Sequence, residues 1–218
     1  MVTVYPSDRA AAGLVLAHGA GGGQLSSFVV RAAHALAARG IAVATFDFPY
    51  MAAGRSVPDK APVLEAAWRA ALNEARARPE LSRLPLFVGG KSMGGRIASH
   101  VAAAGIEDIA GLVYFGYPLH PPGRPQQRRD AHLPSIREPM LFIQGTRDEF
   151  GSSAEIRELL PRLNAATELF EVGDGDHSFK TRVKVTGRRP DAALDDVFAA
   201  AAAFMTRRAG RASPARRA

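Results

Sequence analysis

From residue 13 onward the chain alternates short, almost continuous apolar runs with longer stretches of helical spacing. The apolar runs cover residues 13–17, 41–46, 86–88, 109–115, 140–143 and 167–172. Strands of that kind are buried on both faces, and helices must supply the cover. The expected helices span residues 28–39, 61–78, 93–104, 153–163 and 191–205. In the second of them Val63, Leu64, Ala67, Trp68, Ala71 and Leu72 form one apolar stripe, a pattern that faces a core. The alternation predicts a doubly wound, mostly parallel α/β sheet with helices on both faces. Ligands of such sheets bind beyond the carboxyl ends of the strands. Chemistry is therefore sought in the residues that follow each strand.

Composition narrows the classes. The chain has 218 residues, 47 % of them hydrophobic, which suits one domain over residues 1–206. It has no cysteine, so disulfides, thiolate metal sites and a cysteine nucleophile are excluded. No apolar run approaches a membrane span. The start, MVTVYPSDRA, has no basic-then-apolar signal pattern, and a cytoplasmic location without membrane contact is expected. The formal charge of +7 is concentrated at one end. Arg207, Arg208, Arg211, Arg216 and Arg217 carry no acid among them, and the 28 basic residues less those five nearly balance the 21 acidic ones. Residues 207–218 are expected to form a disordered basic tail, and nucleic acid is not expected as a partner. Residues 116–139 carry six prolines and predict a long loop with one short helix near 133–136, too short for a lid domain.

Residues 88–96, VGGKSMGGR, hold two competing motifs. A phosphate-binding P-loop needs a glycine where Pro85 stands, and proline offers neither the backbone freedom nor the N–H. A nucleophile elbow, G-x-S-x-G, needs a strand, a sharp turn and a helix. Residues 86–88 and 93–104 supply the strand and the helix on either side of Ser92. A dinucleotide-binding reading of Gly19-Ala20-Gly21-Gly22-Gly23-Gln24 fails at Gln24, where the third small residue belongs. No histidine pair has metal-ligand spacing, so neither metal nor cofactor is expected.

The strand ends assemble a constellation. His18 and a glycine-rich loop follow the first strand, Ser92 the third, Asp148 the fifth and His177 the sixth. Ser, Asp and His in that order, each beyond a different parallel strand, match the α/β-hydrolase arrangement. A serine hydroxyl needs a base to become a nucleophile, and an acid to orient that base. Met93 and Ala20 are the candidate backbone donors for an oxyanion. Asp47, Asp174 and Asp176 are competing acids, and each candidate taken alone also has a purely structural reading. His18 is expected to brace the glycine-rich loop, and His34 and His100 to lie on helices. His120 and His132, in the proline-rich loop, are candidates to line a pocket.

Four strings carry a resemblance: GGKSMGGR at 89–96, FPYM at 48–51, GTRDEFG at 145–151 and GDHSF at 175–179. From about residue 2 to 206 the chain resembles a small, lidless, dienelactone-hydrolase-like branch of the α/β-hydrolases. That branch includes a testis-expressed protein and the hydrolase-like domain of an NSL chromatin-complex subunit. The resemblance implies an α/β-hydrolase fold without a lid domain and a serine-hydrolase triad of Ser92, Asp148 and His177. Dienelactone hydrolases proper use cysteine where this chain has Ser92. The expected activity is cleavage of a small ester, thioester or related acyl bond through an acyl-enzyme. The alternatives are a non-catalytic binding module, or an acyltransferase or perhydrolase with the same triad. Arg124, Arg128, Arg129 and Arg137, with Lys180, Arg182, Lys184, Arg188 and Arg189, lie in two loops expected to border the site. They read first as solvated surface and second as a positive mouth that attracts an anionic acyl compound.

Overall fold

The computed structural model describes residues 1–189 and 191–212. Its centre is a seven-stranded sheet: β1 (Thr3–Tyr5), β2 (Ala12–Ala17), β3 (Ile41–Phe46), β4 (Leu86–Lys91), β5 (Gly111–Phe115), β6 (Met140–Gly145) and β7 (Thr167–Val172). The spatial order is β1-β3-β2-β4-β5-β6-β7. Only β1 is antiparallel to its neighbour; every other pairing is parallel. The order reverses around β2 and β4, a switch point that leaves a crevice at their carboxyl ends.

Strand alternation divides the core. On β2, Ala12, Leu14 and Leu16 face one cluster, and Val15 and Ala17 face the other. On β6, Leu141 and Ile143 join the first cluster, while Met140 and Phe142 join the second. The first cluster lies under α1 (Ser27–Ala37) and α7 (Ala193–Ala212). The second lies under α3 (Ala61–Arg76), α4 (Met93–Ala103) and α5 (Ser153–Leu159). Two single-turn helices, α2 (Pro49–Ala52) and α6 (Val183–Thr186), sit in connections. The helix expected over 153–163 changes to a 3-10 turn at Leu160–Arg162, because Pro161 has no N–H to continue the ladder.

The proline-rich segment contains the expected short turn at Leu133–Ser135, and among the described residues no lid covers the sheet edge. The loop is packed rather than loose: Leu119, Leu133 and Ile136 are buried, and the Tyr117 hydroxyl donates to the Arg129 carbonyl at 2.8 Å. The expected basic tail requires correction. Helix α7 continues through Ala212, with Met205 and Ala209 buried on its inner face. Arg207 and Arg208 donate to the two oxygens of Glu168 at 2.7 and 3.0 Å. That acid lies on β7, too far along the chain for sequence proximity to reveal. Residues 213–218 of the proposed tail lie outside the described residues. Among the described residues no helix is long and apolar enough to cross a membrane.

The second core cluster is tied to the start of α4 by the only tryptophan. Trp68 is fully buried, lies edge-on to Phe46 with ring centroids 5.4 Å apart, and donates from Nε1 to the Gly94 carbonyl at 3.1 Å. Trp68→Phe keeps an aromatic ring but removes the indole donor from that carbonyl and part of the buried ring volume. The expected cost is about 1–3 kcal/mol. Calorimetric or circular-dichroism melting should show a lowered Tm; an unchanged Tm would remove this anchor from the account.

Candidate active site

Ser92 stands between β4 and α4 with φ 50° and ψ −117°, an unusual backbone conformation for a residue with a side chain. Close packing on both sides imposes it. A Cβ at Gly90 would meet the Ala17 carbonyl oxygen at 2.6 Å, and one at Gly94 would meet the His18 oxygen at 2.5 Å. Only glycine lets the turn lie this close to β2. The Ser92 N–H donates to the Phe115 carbonyl at 3.0 Å, and the Arg96 N–H donates to the Ser92 carbonyl at 3.1 Å.

The loops after β6 and β7 bring two more side chains to this turn. His177 Nε2 lies 2.8 Å from Ser92 Oγ, and His177 Nδ1 lies 2.8 Å from Asp148 Oδ2. Asp148 is a carboxylate acceptor, so Nδ1 carries the proton and Nε2 is free to accept from the serine. Three donors hold Asp148: His177, the Gln144 amide at 2.8 Å and the Phe150 N–H at 2.9 Å. Its side chain is wholly buried, while that of His177 is 19 % exposed and so open to the cleft. The Phe150 ring lies against His177 with centroids 4.3 Å apart.

The competing acids are engaged elsewhere. Asp47 accepts from the backbone and side chain of Gln24 at 2.7 and 3.0 Å. Asp174 binds Arg147 and Arg182, and the hydrogen bonds from Arg182 pull its pKa down to about 2. Asp176 caps its own turn through the N–H groups of Ser178 and Lys180.

On the other side of Ser92 lies the loop after β2. His18 is fully buried, and its tautomer follows from its two partners. Nδ1 donates to the Gly19 carbonyl at 2.7 Å, and Nε2 accepts from the Phe48 N–H at 3.1 Å. Burial lowers its pKa and keeps it neutral, as both bonds require. The N–H and C=O of a trans peptide point in opposite directions. By fixing the Gly19 carbonyl, His18 therefore turns the Ala20 N–H the other way. The Tyr50 hydroxyl donates to the Ala20 carbonyl at 3.0 Å. Among the described residues neither the Ala20 N–H nor the Met93 N–H has a hydrogen-bond acceptor.

A cleft of about 650 Å³ opens over Ser92 and His177. Its walls include the Gly19–Gly22 stretch, Phe28, Leu64, Ile97, Pro118 and Phe150. His120 and His132 are not among them, so their expected place in a pocket is corrected. His120 is buried against Glu155 at 3.0 Å. His132 hydrogen-bonds Ser99 at 2.7 Å and packs on His100, and burial pulls its pKa down to about 4. A polar residue in a loop gives no sign of which way it points, and both turn toward helices.

The charged groups in the cleft were also missed in part. Of the two basic loops, only Arg129 lines it; Arg128, Arg182 and Arg188 pair with Asp130, Asp174 and Asp196. Arg96 and Lys91 line it as well. Arg96 lies four residues after Ser92 on α4, and that spacing returns to the same helix face. Lys91 donates from Nζ to the His177 carbonyl at 2.5 Å and lies 5.3 Å from the Phe179 ring centroid. Among the described residues no cluster of metal-ligating side chains is present.

Solved structures share this architecture. Est1E from Butyrivibrio proteoclasticus, with ferulic acid bound, superposes with a TM-score of 0.74 at 14 % identity, covering 96 % of each chain. A dienelactone hydrolase from Anabaena variabilis gives 0.70 at 21 % identity, over 94 % of this chain and 88 % of that one. XC6422 from Xanthomonas campestris, described as an α/β serine hydrolase without a lid, gives 0.69 at 22 %, over 98 % and 89 %. At such identities the likeness speaks for the fold. Residues 10–206 match the alpha/beta hydrolase domain family, so with its sheet, its strand-end loops and its lidless edge the chain belongs to that family.

Proposed function

We propose that the protein is a serine hydrolase that cleaves a small ester, thioester or related acyl bond without a cofactor. The observation that carries this is the unbroken relay Ser92 Oγ–His177 Nε2–His177 Nδ1–Asp148, with both links at 2.8 Å, at the base of an open cleft. Membership of the alpha/beta hydrolase domain family supports hydrolytic chemistry in general.

In this reading His177 Nε2 takes the serine proton as Oγ forms a bond to the acyl carbon. The carbonyl π pair moves to oxygen, and the unclaimed N–H groups of Ala20 and Met93 face the resulting oxyanion. Collapse breaks the bond to the leaving group, which departs with the proton from His177. Water then attacks the acyl-enzyme, again giving its proton to His177. The carboxylic acid leaves, and Ser92 recovers its proton. Asp148 keeps His177 in the tautomer that this sequence needs and stabilises the imidazolium.

A fluorophosphonate probe should label Ser92. Ser92→Ala should abolish labelling and lower kcat on an activated ester by on the order of 10³-fold or more, with the fold intact. Undiminished turnover in that variant would refute the mechanism. Asp148→Asn should cost about 10²–10⁴-fold in kcat with little change in KM. A larger loss from Asp174→Asn than from Asp148→Asn would mean that the acid has been misassigned.

Lys91 ties the histidine loop to β4, and its charge is held at an energetic cost. Burial pulls its pKa from the usual 10.5 to about 8, with Asp148 and Asp176 opposing the shift. Below pH 8 both folded and unfolded chains carry the proton, and the cost of burying it is present in full. Between pH 8 and 10.5 the unfolded chain still holds the proton that the folded chain has released, so this group makes stability rise with pH. Denaturant unfolding across that range should show wild type gaining stability relative to Lys91→Met. A flat difference would place the ammonium in a well-solvated setting.

A further inference from the structure

The cleft above Ser92 has an uncompensated positive end. Arg96 rises from α4, and Arg129 reaches the same wall from the proline-rich loop. The two guanidinium groups are near enough to repel: after burial, Arg129 is the largest influence lowering the Arg96 pKa. Arg96 Nε is buried without a hydrogen-bond partner, and its Nη1 reaches only the His100 ring, at 3.4 Å. Among the described residues no carboxylate lies within ion-pair range of either arginine.

The nearby acids are already engaged. Glu65 attracts Arg96 from a distance but accepts from His100 Nδ1 at 3.0 Å. Asp130 is bound by Arg128 at 2.6 Å. The Tyr117 hydroxyl, which also faces Arg96, donates to the Arg129 carbonyl at 2.8 Å. The acid that lines the cleft wall, Asp59, pairs with Arg55 at 2.8 Å through Oδ1, keeps Oδ2 buried without a hydrogen-bond partner, and acts on Tyr50, beside the Gly19–Gly22 loop, not on Arg96. Among the described residues the cleft thus has two guanidinium groups at one place, with its one lining carboxylate at the Tyr50 side and out of their ion-pair range. Holding like charges together in a half-buried wall is unfavourable unless a counter-charge arrives. Guanidinium groups bind planar oxyanions through paired, charge-assisted hydrogen bonds.

We propose that Arg96 and Arg129 form a subsite for a carboxylate carried by the substrate, so that the favoured substrates are esters or thioesters bearing a second, ionised carboxyl group. This deepens the hydrolase reading and rests on Ser92 as nucleophile for its catalytic part, whereas the anion subsite itself can be tested without turnover.

Two matched pairs of esters test it: p-nitrophenyl hemiglutarate against p-nitrophenyl valerate, and 3-acetoxybenzoate against phenyl acetate. In at least one pair the anionic member should have the higher kcat/KM, by about tenfold at low salt. Arg96→Gln and Arg129→Gln should each cut that preference about tenfold. Arg124→Gln, an exposed arginine outside the cleft, should preserve it. No preference in either pair, or an equal fall with Arg124→Gln, would overturn the subsite. Calorimetric titration of Ser92→Ala with glutarate separates the two readings. Binding that disappears with Arg96→Gln or Arg129→Gln upholds the subsite even if no ester is hydrolysed. Failure of fluorophosphonate labelling would instead defeat the hydrolase reading. Tighter binding of inorganic phosphate than of glutarate, by the same arginines, would overturn the assignment to carboxylates.

Discussion

The site depends on how closely the first turn of α4 lies against β2 and β4. At that distance there is no room for a side chain at Gly90 or Gly94, and Ser92 is forced into a conformation that costs on the order of 1–3 kcal/mol. The surroundings must hold it there. The Phe115 carbonyl takes its N–H, the Arg96 N–H takes its carbonyl, and Trp68 fixes the Gly94 carbonyl from the core side. The strain and the exposure of the serine have one origin: a strand-to-helix turn too tight for ordinary backbone leaves Oγ projecting from its tip.

The opposite wall is held by the ends of β2 and β3 acting on each other. His18, after β2, spends one nitrogen on its own loop and the other on the Phe48 N–H after β3. Asp47 and Thr45, on the β3 side, engage Gln24 on the β2 side. Tyr50, within the first turn of α2, closes the same contact from above through the Ala20 carbonyl. Burial and the negative charge of Asp47 push the Tyr50 pKa up to about 12, so its hydroxyl remains a donor. A glycine-rich loop would otherwise be the most adaptable backbone in the cleft. Here its peptide planes are fixed before any ligand arrives, which is what stabilisation of a developing charge requires.

Much of this was legible because it rests on periodicity and chain order. The six parallel strands follow from apolar runs, and the placement of Ser92, Asp148 and His177 on one sheet edge follows from parallel topology. The three-residue β1 was not legible, since TVY is too short to show a pattern and owes its pairing to β3. The end of α7 was obscured because its arginines resemble a solvated tail until Glu168 is brought beside them. Gln144 falls between the apolar run 140–143 and the string that begins at Gly145, so neither pattern marks it, yet it joins Asp148, Tyr117 and the Gly151 carbonyl in one buried network. Arg96 was within reach: it closes the string GGKSMGGR, and its spacing from Ser92 is one helical turn. The signs for His120 and His132 were absent, because direction in a proline-rich loop is decided by tertiary packing alone.

Charge shows the same division between what a sequence counts and what a fold does with it. By count, most of the formal +7 falls on the five arginines of residues 207–218, which read as a solvated tail. The structure instead pairs many of the outer arginines: Arg31 with Asp191, Arg147 and Arg182 with Asp174, Arg188 with Asp196, and Arg207 and Arg208 with Glu168. Such exposed pairs add little stability, but they cancel one another's field at a distance. Three cations that form no salt bridge among the described residues are turned inward. Lys91 lies under the histidine loop on aromatic rings and a carbonyl, and Arg96 and Arg129 stand together in the cleft wall. In a low-dielectric cleft an unpaired charge acts more strongly than several screened ones on the surface. The potential at Ser92 is therefore set by a few inward residues and not by the net charge of the chain.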